Sequence, residues 1–183
     1  AGLPRLVYQY CWQELPKHLD VYVDTDFAGC QATRRSTSGG IAMIGSCTIK
    51  HWSKTQTTIS LSSGEAELHG IAHGAAQGLW MQSLLLDLGW QLQLRVHSAA
   101  TAAIRICRRK GLGKIRHLAT TDLWIQDKVR SKQIELLKVL GTDNPADVLT
   151  KYVNRQTMEK ALSTMGLHDM HGRPACAPAA MGV

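Results

Sequence analysis

The sequence lacks the features of membrane-spanning and disulfide-stabilised proteins. No apolar run approaches the roughly 18 residues that a membrane span requires, and the first 18 residues lack the apolar core of a signal peptide. The cysteines are scattered, odd in number and form no C-x-x-C pair, which argues against a disulfide framework and a structural zinc site. We therefore expect a reducing intracellular compartment. The five cysteines are Cys11, Cys30, Cys47, Cys107 and Cys176.

Acidic residues are also scarce relative to basic ones. The 183 residues include 14 Asp and Glu against 21 Lys and Arg, which gives a net charge of +7. A basic balance favours a polyanionic partner such as nucleic acid. Apolar residues make up 44% of the chain, enough for a core, so global disorder is excluded. The length suits one domain with extensions, and the chain begins without Met, as expected of a piece of a longer protein.

Hydrophobic patterning predicts a chain that mixes strands and helices. Residues 19–27, 41–45 and 48–52 read as strands of a meander, with a hairpin near Gly45. A long helix follows, with Ser62 and Glu65 as a capping box and Gly89 at its end. Beyond it we expect strands over 90–98 and 132–141, helices over 101–110 and 118–131, and a last helix that opens at Asn144.

Three glycines lie four residues apart on one face of the long helix. Gly70, Gly74 and Gly78 each cost about 1 kcal/mol relative to Ala in a helix. We expect that face to pack closely against a sheet. Around this central region, residues 1–18 are expected to form a lead-in segment with a short helix over 7–14, residues 19–167 the main domain, and residues 168–183 a disordered C-terminal extension.

Few acidic residues lie within apolar, structured segments. Asp24 is near the end of the first strand, Glu67 is in the first turns of the long helix, and Asp147 is in the first turn of the last helix. An acidic residue at a helix start is ordinarily only a favourable partner of the helix dipole. That explanation serves for Glu67 or Asp147 alone, whereas the joint pattern of all three indicates a site.

Several spaced motifs occur in order between about residues 19 and 167. They are VYVDTDFAGC, TRRSTSGG, HWSKTQ, LSSGEAELHG, GKIRH and NPADVLTK. Together they resemble the ribonuclease H domain of Copia-type LTR retrotransposon polyproteins, and residues 1–18 resemble the connection that precedes this domain there. The resemblance implies an α/β, ribonuclease H-like fold with flanking helices. Its five-stranded mixed sheet would be an antiparallel meander followed by parallel strands.

The resemblance also implies a function for the three carboxylates. In that family they hold two Mg²⁺ ions that hydrolyse the RNA strand of RNA–DNA hybrids. Asp24 would bridge both ions, while Glu67 and Asp147 would each bind one. His117 matches a family histidine and is a candidate site residue, although a purely structural role suits it equally.

One member of the family's carboxylate set is missing. Its fourth carboxylate ends the fourth strand, and in HSAATAAI that position is Ala99. A methyl group cannot coordinate a cation, so we expect one Mg²⁺ or none to bind and the nuclease activity to be impaired or lost. Decay, a deliberate substitution and retention as a structural or binding subunit of a larger assembly, with other protein chains as partners, are the open explanations.

Two basic stretches are candidates for contacts with nucleic-acid phosphates. The first follows the opening strand, and the second follows the helix over 101–110 and includes glycines that let a backbone approach a ligand. The alternative for both is a solvated face. The candidate residues are Arg34, Arg35, Arg108, Arg109, Lys110, Lys114 and Arg116.

Overall fold

The computed structural model describes residues 5–111 and 124–170. Within these residues the chain forms seven strands and four α-helices. The strands are β1 (Arg5–Tyr8), β2 (His18–Asp26), β3 (Thr37–Ile44), β4 (Cys47–Thr55), β5 (Gln93–Ser98), β6 (Ile134–Lys138) and β7 (Leu167–Met170). The helices are α1 (Ser63–Asp87), α2 (Thr101–Arg108), α3 (Trp124–Arg130) and α4 (Arg155–Thr164).

Five of the strands form one mixed sheet in the order β4–β3–β2–β5–β6. The meander β2–β3–β4 is antiparallel, with its hairpin at Gly45, whereas β5 pairs parallel to β2 and β6 parallel to β5. This is the five-stranded mixed sheet with flanking helices that the sequence predicts, and the fold prediction is confirmed.

Helix α1 begins and ends as its sequence predicts. The Ser62 hydroxyl accepts a hydrogen bond from the Glu65 N–H at 3.2 Å. The Glu65 carboxylate reaches back one residue beyond the cap and accepts from the Leu61 N–H at 2.7 Å. Gly89 follows the helix in the left-handed region at φ +85°, where glycine carries no Cβ penalty.

The glycine face of α1 packs directly on the sheet. A Cβ at Gly74 would lie 2.3 Å from Val23 Cγ1, and one at Gly78 would lie 2.5 Å from Leu94 Cδ1. Neither distance is compatible with ordinary van der Waals contact, so only glycine permits this approach. The predicted close packing is confirmed. It brings the first turns of α1, with Glu67, close to the end of β2.

The opposite face of the sheet, which we call the outer face, carries a network of polar side chains. Both oxygens of the Asp20 carboxylate accept from Arg95, through Nε and Nη2 at 2.7 Å each. The His97 Nε2 lies 2.6 Å from Asp20 Oδ1, and the His97 ring stacks on Tyr22 with centroids 4.5 Å apart. Burial alone would raise the pKa of Asp20, but its bonds to His97 and Arg95 lower it to about 2. The network joins β2 to β5.

The structure differs from the sequence prediction at both ends of the described chain. The expected helix over residues 7–14 is wrong, because Arg5–Tyr8 forms β1, which pairs antiparallel with β7. The Gln13 amide then donates to the Ile44 carbonyl at the β3–β4 hairpin at 2.8 Å. Residues 168–170, expected to be disordered, belong to β7. The divisions 1–18, 19–167 and 168–183 stay a prediction, and residues 171–183 lie outside the described range.

The prediction of a last helix that opens at Asn144 is also wrong. Asn144 caps a short 3-10 turn, Pro145–Leu149, and α4 begins separately after Asn154. Strand β2 ends at Asp26, one residue before the end of the predicted strand over 19–27. In the part of the chain that the structure describes, no helix has both the length and the apolar character needed to cross a bilayer.

Candidate active site

Asp24 lies near the carboxyl end of β2, opposite Gly39 of β3. It is 6% exposed. Side chains alternate along a strand, so Asp24 points to the outer face, while Val23 points to the core beneath α1. On the other side of β2, the last residues paired with β5 are Val23 and Ser98. The next residues along the two parallel strands are therefore Asp24 and Ala99.

The 3-10 turn brings Asp147 to the outer face beside Asp24. The Asn144 amide donates to the Val23 carbonyl at 2.9 Å, and its side-chain oxygen accepts from the Ala146 N–H at 3.2 Å. Gly39 lets the turn approach, because a Cβ there would lie 2.9 Å from Leu149 Cβ. The turn is thus anchored one residue before Asp24. This anchoring to the sheet explains why a short 3-10 turn replaces the expected helix.

The three predicted carboxylates interact electrostatically, and two of them have raised pKa values. Burial, followed by the charges of Asp24 and Asp147, raises the pKa of Glu67 to about 8, although Lys151 acts in the opposite direction. Burial, followed by the charge of Asp24, also raises the pKa of Asp147. Such shifts arise where like charges share a desolvated space. Asp24 of the strand and Asp147 of the turn share the Lys151 ammonium, and Glu67 of the helix lies close enough to interact electrostatically with both carboxylates.

Two further residues of the NPADVLTK motif contact this cluster. The Thr150 hydroxyl donates to Asp24 Oδ2. The Lys151 Nζ lies 3.6 Å from Asp24 Oδ2 and 3.1 Å from Asp147 Oδ2. Burial alone would lower the pKa of Lys151, but the two carboxylates raise it. The residue-by-residue prediction missed both contacts, although the T-K ending of the motif could have signalled them.

The three carboxylates have the chemistry of hard-cation ligands, but the structure does not arrange them as a metal site. Carboxylate oxygens are the ligands that Mg²⁺ prefers, and the Lys151 ammonium already lies between two of them. Ala99, the residue after the paired Ser98, carries a methyl group and offers no donor. Among residues 5–111 and 124–170, no group of three or more His, Cys, Asp or Glu side chains has the arrangement of a metal site. The site roles of the three carboxylates therefore stay a prediction.

The HWSKTQ motif positions the start of α1. Gln56 Nε2 donates to Ser38 Oγ and to the Ala66 carbonyl, each at 2.8 Å. The Gln56 side-chain oxygen accepts from the Ser60 hydroxyl at 3.2 Å. One amide thus joins the end of β4 to β3 and to the turn of α1 that bears Glu67.

A polar cleft of about 160 Å³ opens beside this junction. Its lining includes Lys54, Thr57, Thr58, His69 and His73. Burial, together with the nearby Lys54 and Lys50, lowers the pKa of His73 and so disfavours the charged form of its ring. A lysine and two threonine hydroxyls around a small cleft can bind an oxyanion.

The predicted basic residues occupy different places. Arg34 and Arg35 are exposed on the loop between β2 and β3. The Arg108 guanidinium donates to the Leu136 carbonyl at 2.7 Å and so supports the fold. Helix α2 rises about 1.5 Å per residue, which puts Arg108 roughly 10 Å beyond the helix start that follows Ala99. Arg109 and Lys110 follow Arg108, whereas Lys114, Arg116 and His117 lie outside the described residues.

Known proteins similar to this chain agree with the fold. It is 30% identical over 152 residues to the retrovirus-related Pol polyprotein from transposon RE1 of Arabidopsis thaliana, and 29% identical over 149 residues to that from transposon TNT 1-94 of Nicotiana tabacum. These matches cover 81% and 80% of the chain but only 10% and 11% of the polyproteins, so the chain spans about a tenth of their length. No family model matches the chain.

A solved structure extends the comparison from sequence to fold. LC11-RNase H1, isolated from compost by a metagenomic approach, superposes with a TM-score of 0.57 at 14% identity. The superposition covers 80% of this chain and 99% of that one. At this identity the likeness concerns the fold alone. The chain is therefore a homologue of a short segment of Copia-type retrovirus-related Pol polyproteins, and its fold is that of a ribonuclease H domain.

Proposed function

We propose that this chain is a ribonuclease H-type module of retroelement descent that binds RNA–DNA hybrids and whose hydrolytic activity is impaired. The observation that carries the proposal is the register of β2 and β5. Ala99 follows Ser98 as Asp24 follows Val23, the residue paired with Ser98, and the resemblance calls for a metal-binding Asp at position 99. The Lys151 ammonium contacts Asp24 and Asp147, and Glu67 interacts electrostatically with both, which supports a site that retains three of the family's four carboxylates.

The roles of the remaining residues follow from their chemistry. A Mg²⁺ ion held by Asp24, Glu67 and Asp147 would activate water and stabilise charge at the scissile phosphate. The buried Asn144 amide and the Thr150 hydroxyl hold Asp147 and Asp24 in place. The Ala99 methyl leaves that side of the site without an oxygen donor, so a second cation would lack its carboxylate.

The basic surface supports binding to the hybrid. Arg34 and Arg35 are exposed on the loop that follows β2, the strand that carries Asp24. Lys54, Thr57 and Thr58 line the cleft near the start of α1. Cations and hydroxyls in these places suit the phosphates of a strand that passes across the carboxylates. A 2′-hydroxyl contact in the site would let it distinguish RNA from DNA.

A cleavage assay on a labelled RNA–DNA hybrid with Mg²⁺ tests the proposal. Wild type, Ala99→Asp and Ala99→Asn are compared, because Asn has the shape of Asp without its charge. Circular dichroism confirms that each variant is folded. We expect Ala99→Asp to cleave the RNA strand more than about tenfold faster than wild type, a gain that needs only ~1.4 kcal/mol of barrier. Ala99→Asn should gain much less, and adding Asp24→Asn to Ala99→Asp should abolish the gain.

The same variants, with hybrid binding measured at several salt concentrations beside cleavage, separate the alternatives. A wild type that already cleaves as fast as Ala99→Asp would contradict the proposed impairment. Salt-dependent hybrid binding without cleavage in any variant would favour a binding module. Neither binding nor cleavage would remove the nuclease-derived function and leave the structural subunit of a larger assembly.

A further inference from the structure

The side chain of Lys151 reaches from solvent into the candidate active site. Its Nζ lies 3.1 Å from Asp147 Oδ2 and 3.6 Å from Asp24 Oδ2. The Lys151 side chain is 45% exposed, whereas those of Asp24 and Asp147 are only 8% and 16% exposed. Nearly half of the lysine side chain is therefore exposed to solvent, while its ammonium contacts both carboxylates.

We propose that Lys151 is the internal counter-cation of this site, whose ammonium holds Asp24 and Asp147 together without metal and must leave when a divalent cation binds. The inference rests on the proposed function only in taking these two carboxylates as metal ligands. It assigns to Lys151 a positioning role that no motif prediction gave it.

The electrostatics of the two carboxylates favour a cation at this place. Two largely buried carboxylates repel each other, and that repulsion is relieved by protonation or by a nearby positive charge. The Lys151 ammonium supplies that charge and contacts one oxygen of each carboxylate. A divalent cation that bridges Asp24 and Asp147 would need oxygens of the same two groups. The ammonium and the metal ion would also repel each other, so the two cations compete.

The geometry lets the ammonium leave without disturbing the fold. The Lys151 N–H donates to the Asp147 carbonyl at 3.3 Å, which fixes the main chain at the end of the turn. The side chain beyond it is long and partly exposed. It can swing into water while the backbone stays in place. Thr150, by contrast, can keep its hydrogen bond to Asp24 in both states.

Substitution at Lys151 should change metal affinity and metal-free stability in opposite directions. Lys151→Met keeps the length of the side chain and removes its charge. We expect it to bind Mn²⁺ about tenfold more tightly than wild type, the size of effect that one unit charge exerts at a partly exposed site. Without metal, its Tm should fall by about 2–4 °C. Lys151→Arg keeps the charge and should behave like wild type in both measurements.

The experiment is isothermal titration of the purified chain with Mn²⁺ at fixed pH and ionic strength, with thermal melting in the presence of a chelator. Lys160→Met is the matched control, because Lys160 is an exposed lysine whose ion pair, at 2.5 Å, is with Asp143 rather than with Asp24 or Asp147. Asp24→Asn tests whether the metal site itself exists. We expect tighter binding in Lys151→Met, no change in Lys160→Met and weak or no binding in Asp24→Asn.

The outcomes separate this inference from the proposed function. If Asp24→Asn abolishes Mn²⁺ binding but Lys151→Met binds no more tightly than wild type, the counter-cation is overturned and the metal site stands. If no variant binds Mn²⁺, the metal site fails. Metal-free melting then decides the role of Lys151, since an unchanged Tm of Lys151→Met would refute it.

Discussion

Replacing Asp20 by Asn tests whether the outer-face network holds β2 and β5 together. The Asp20 carboxylate bonds Arg95 and His97 of the neighbouring strand, and these bonds lower its pKa from 3.8 to about 2. A pKa shift of one unit corresponds to 1.36 kcal/mol. A shift of roughly two units therefore makes the ionised carboxylate worth about 2 kcal/mol to the folded state.

The sign of the pH dependence follows from the lowered pKa. A carboxylate whose pKa is lower in the folded than in the unfolded state contributes its full stabilisation above the unfolded value, and loses it as the pH falls through the folded value. Asp20→Asn should therefore lower the free energy of unfolding by about 2 kcal/mol at pH 7. This difference should shrink between about pH 4 and pH 2, where the wild-type carboxylate also loses its charge.

Urea denaturation followed by circular dichroism at several pH values between 2 and 7 measures this difference. Asp169→Asn, which removes an exposed carboxylate of β7, is the control and should change little at any pH. Equal stability of Asp20→Asn and wild type at pH 7 would refute the stabilising role of the network. A difference that persists undiminished at pH 2 would refute its electrostatic cause.

Three further predictions concern the surroundings of the site. Asn144→Ala should lower the free energy of unfolding by about 1–3 kcal/mol in urea denaturation, because the buried Val23 carbonyl loses its donor. Gly74→Ala should be destabilising despite the better helix propensity of Ala, since its Cβ would lie 2.3 Å from Val23; an unchanged Tm would contradict the close packing. Lys54→Ala should weaken hybrid binding and reduce the salt slope of log K by about one, measured by fluorescence anisotropy, whereas Lys160→Ala should do neither.

Local patterns explain the parts of the fold that could be predicted. The meander follows from short alternating strands around Gly45, and α1 follows from its capping box, its apolar period and Gly89. These signals act over a few residues, so one sequence reveals them. The pairing of β1 with β7 joins residues about 160 positions apart. Because that pairing has no local signal, residues 7–14 were assigned to the wrong element.

The turn that carries Asp147 shows how tertiary contacts override a local pattern. Asn144 followed by Pro145 is a good helix start, and the cap does form. The Asn144 amide is also bonded to the Val23 carbonyl, and Gly39 lies against Leu149. These contacts hold the turn against β2 and β3, and the helix does not continue.

The contact of Lys151 with the carboxylates could not be predicted from local sequence either. A lysine four residues after an aspartate is an ordinary pair on the surface of a helix.

Ala99 is distinctive both in the motif pattern and in its position after β5. The resemblance implies that a carboxylate is missing at this position, and in the sheet Ala99 follows Ser98 as Asp24 follows its partner Val23. The outer-face network of Asp20, Arg95 and His97 stabilises the same register between β2 and β5. An aspartate introduced at position 99 would therefore enter a place whose neighbours are already set by the sheet. This is why one substitution, rather than a rebuilt site, is a fair test of whether the chain can cleave RNA.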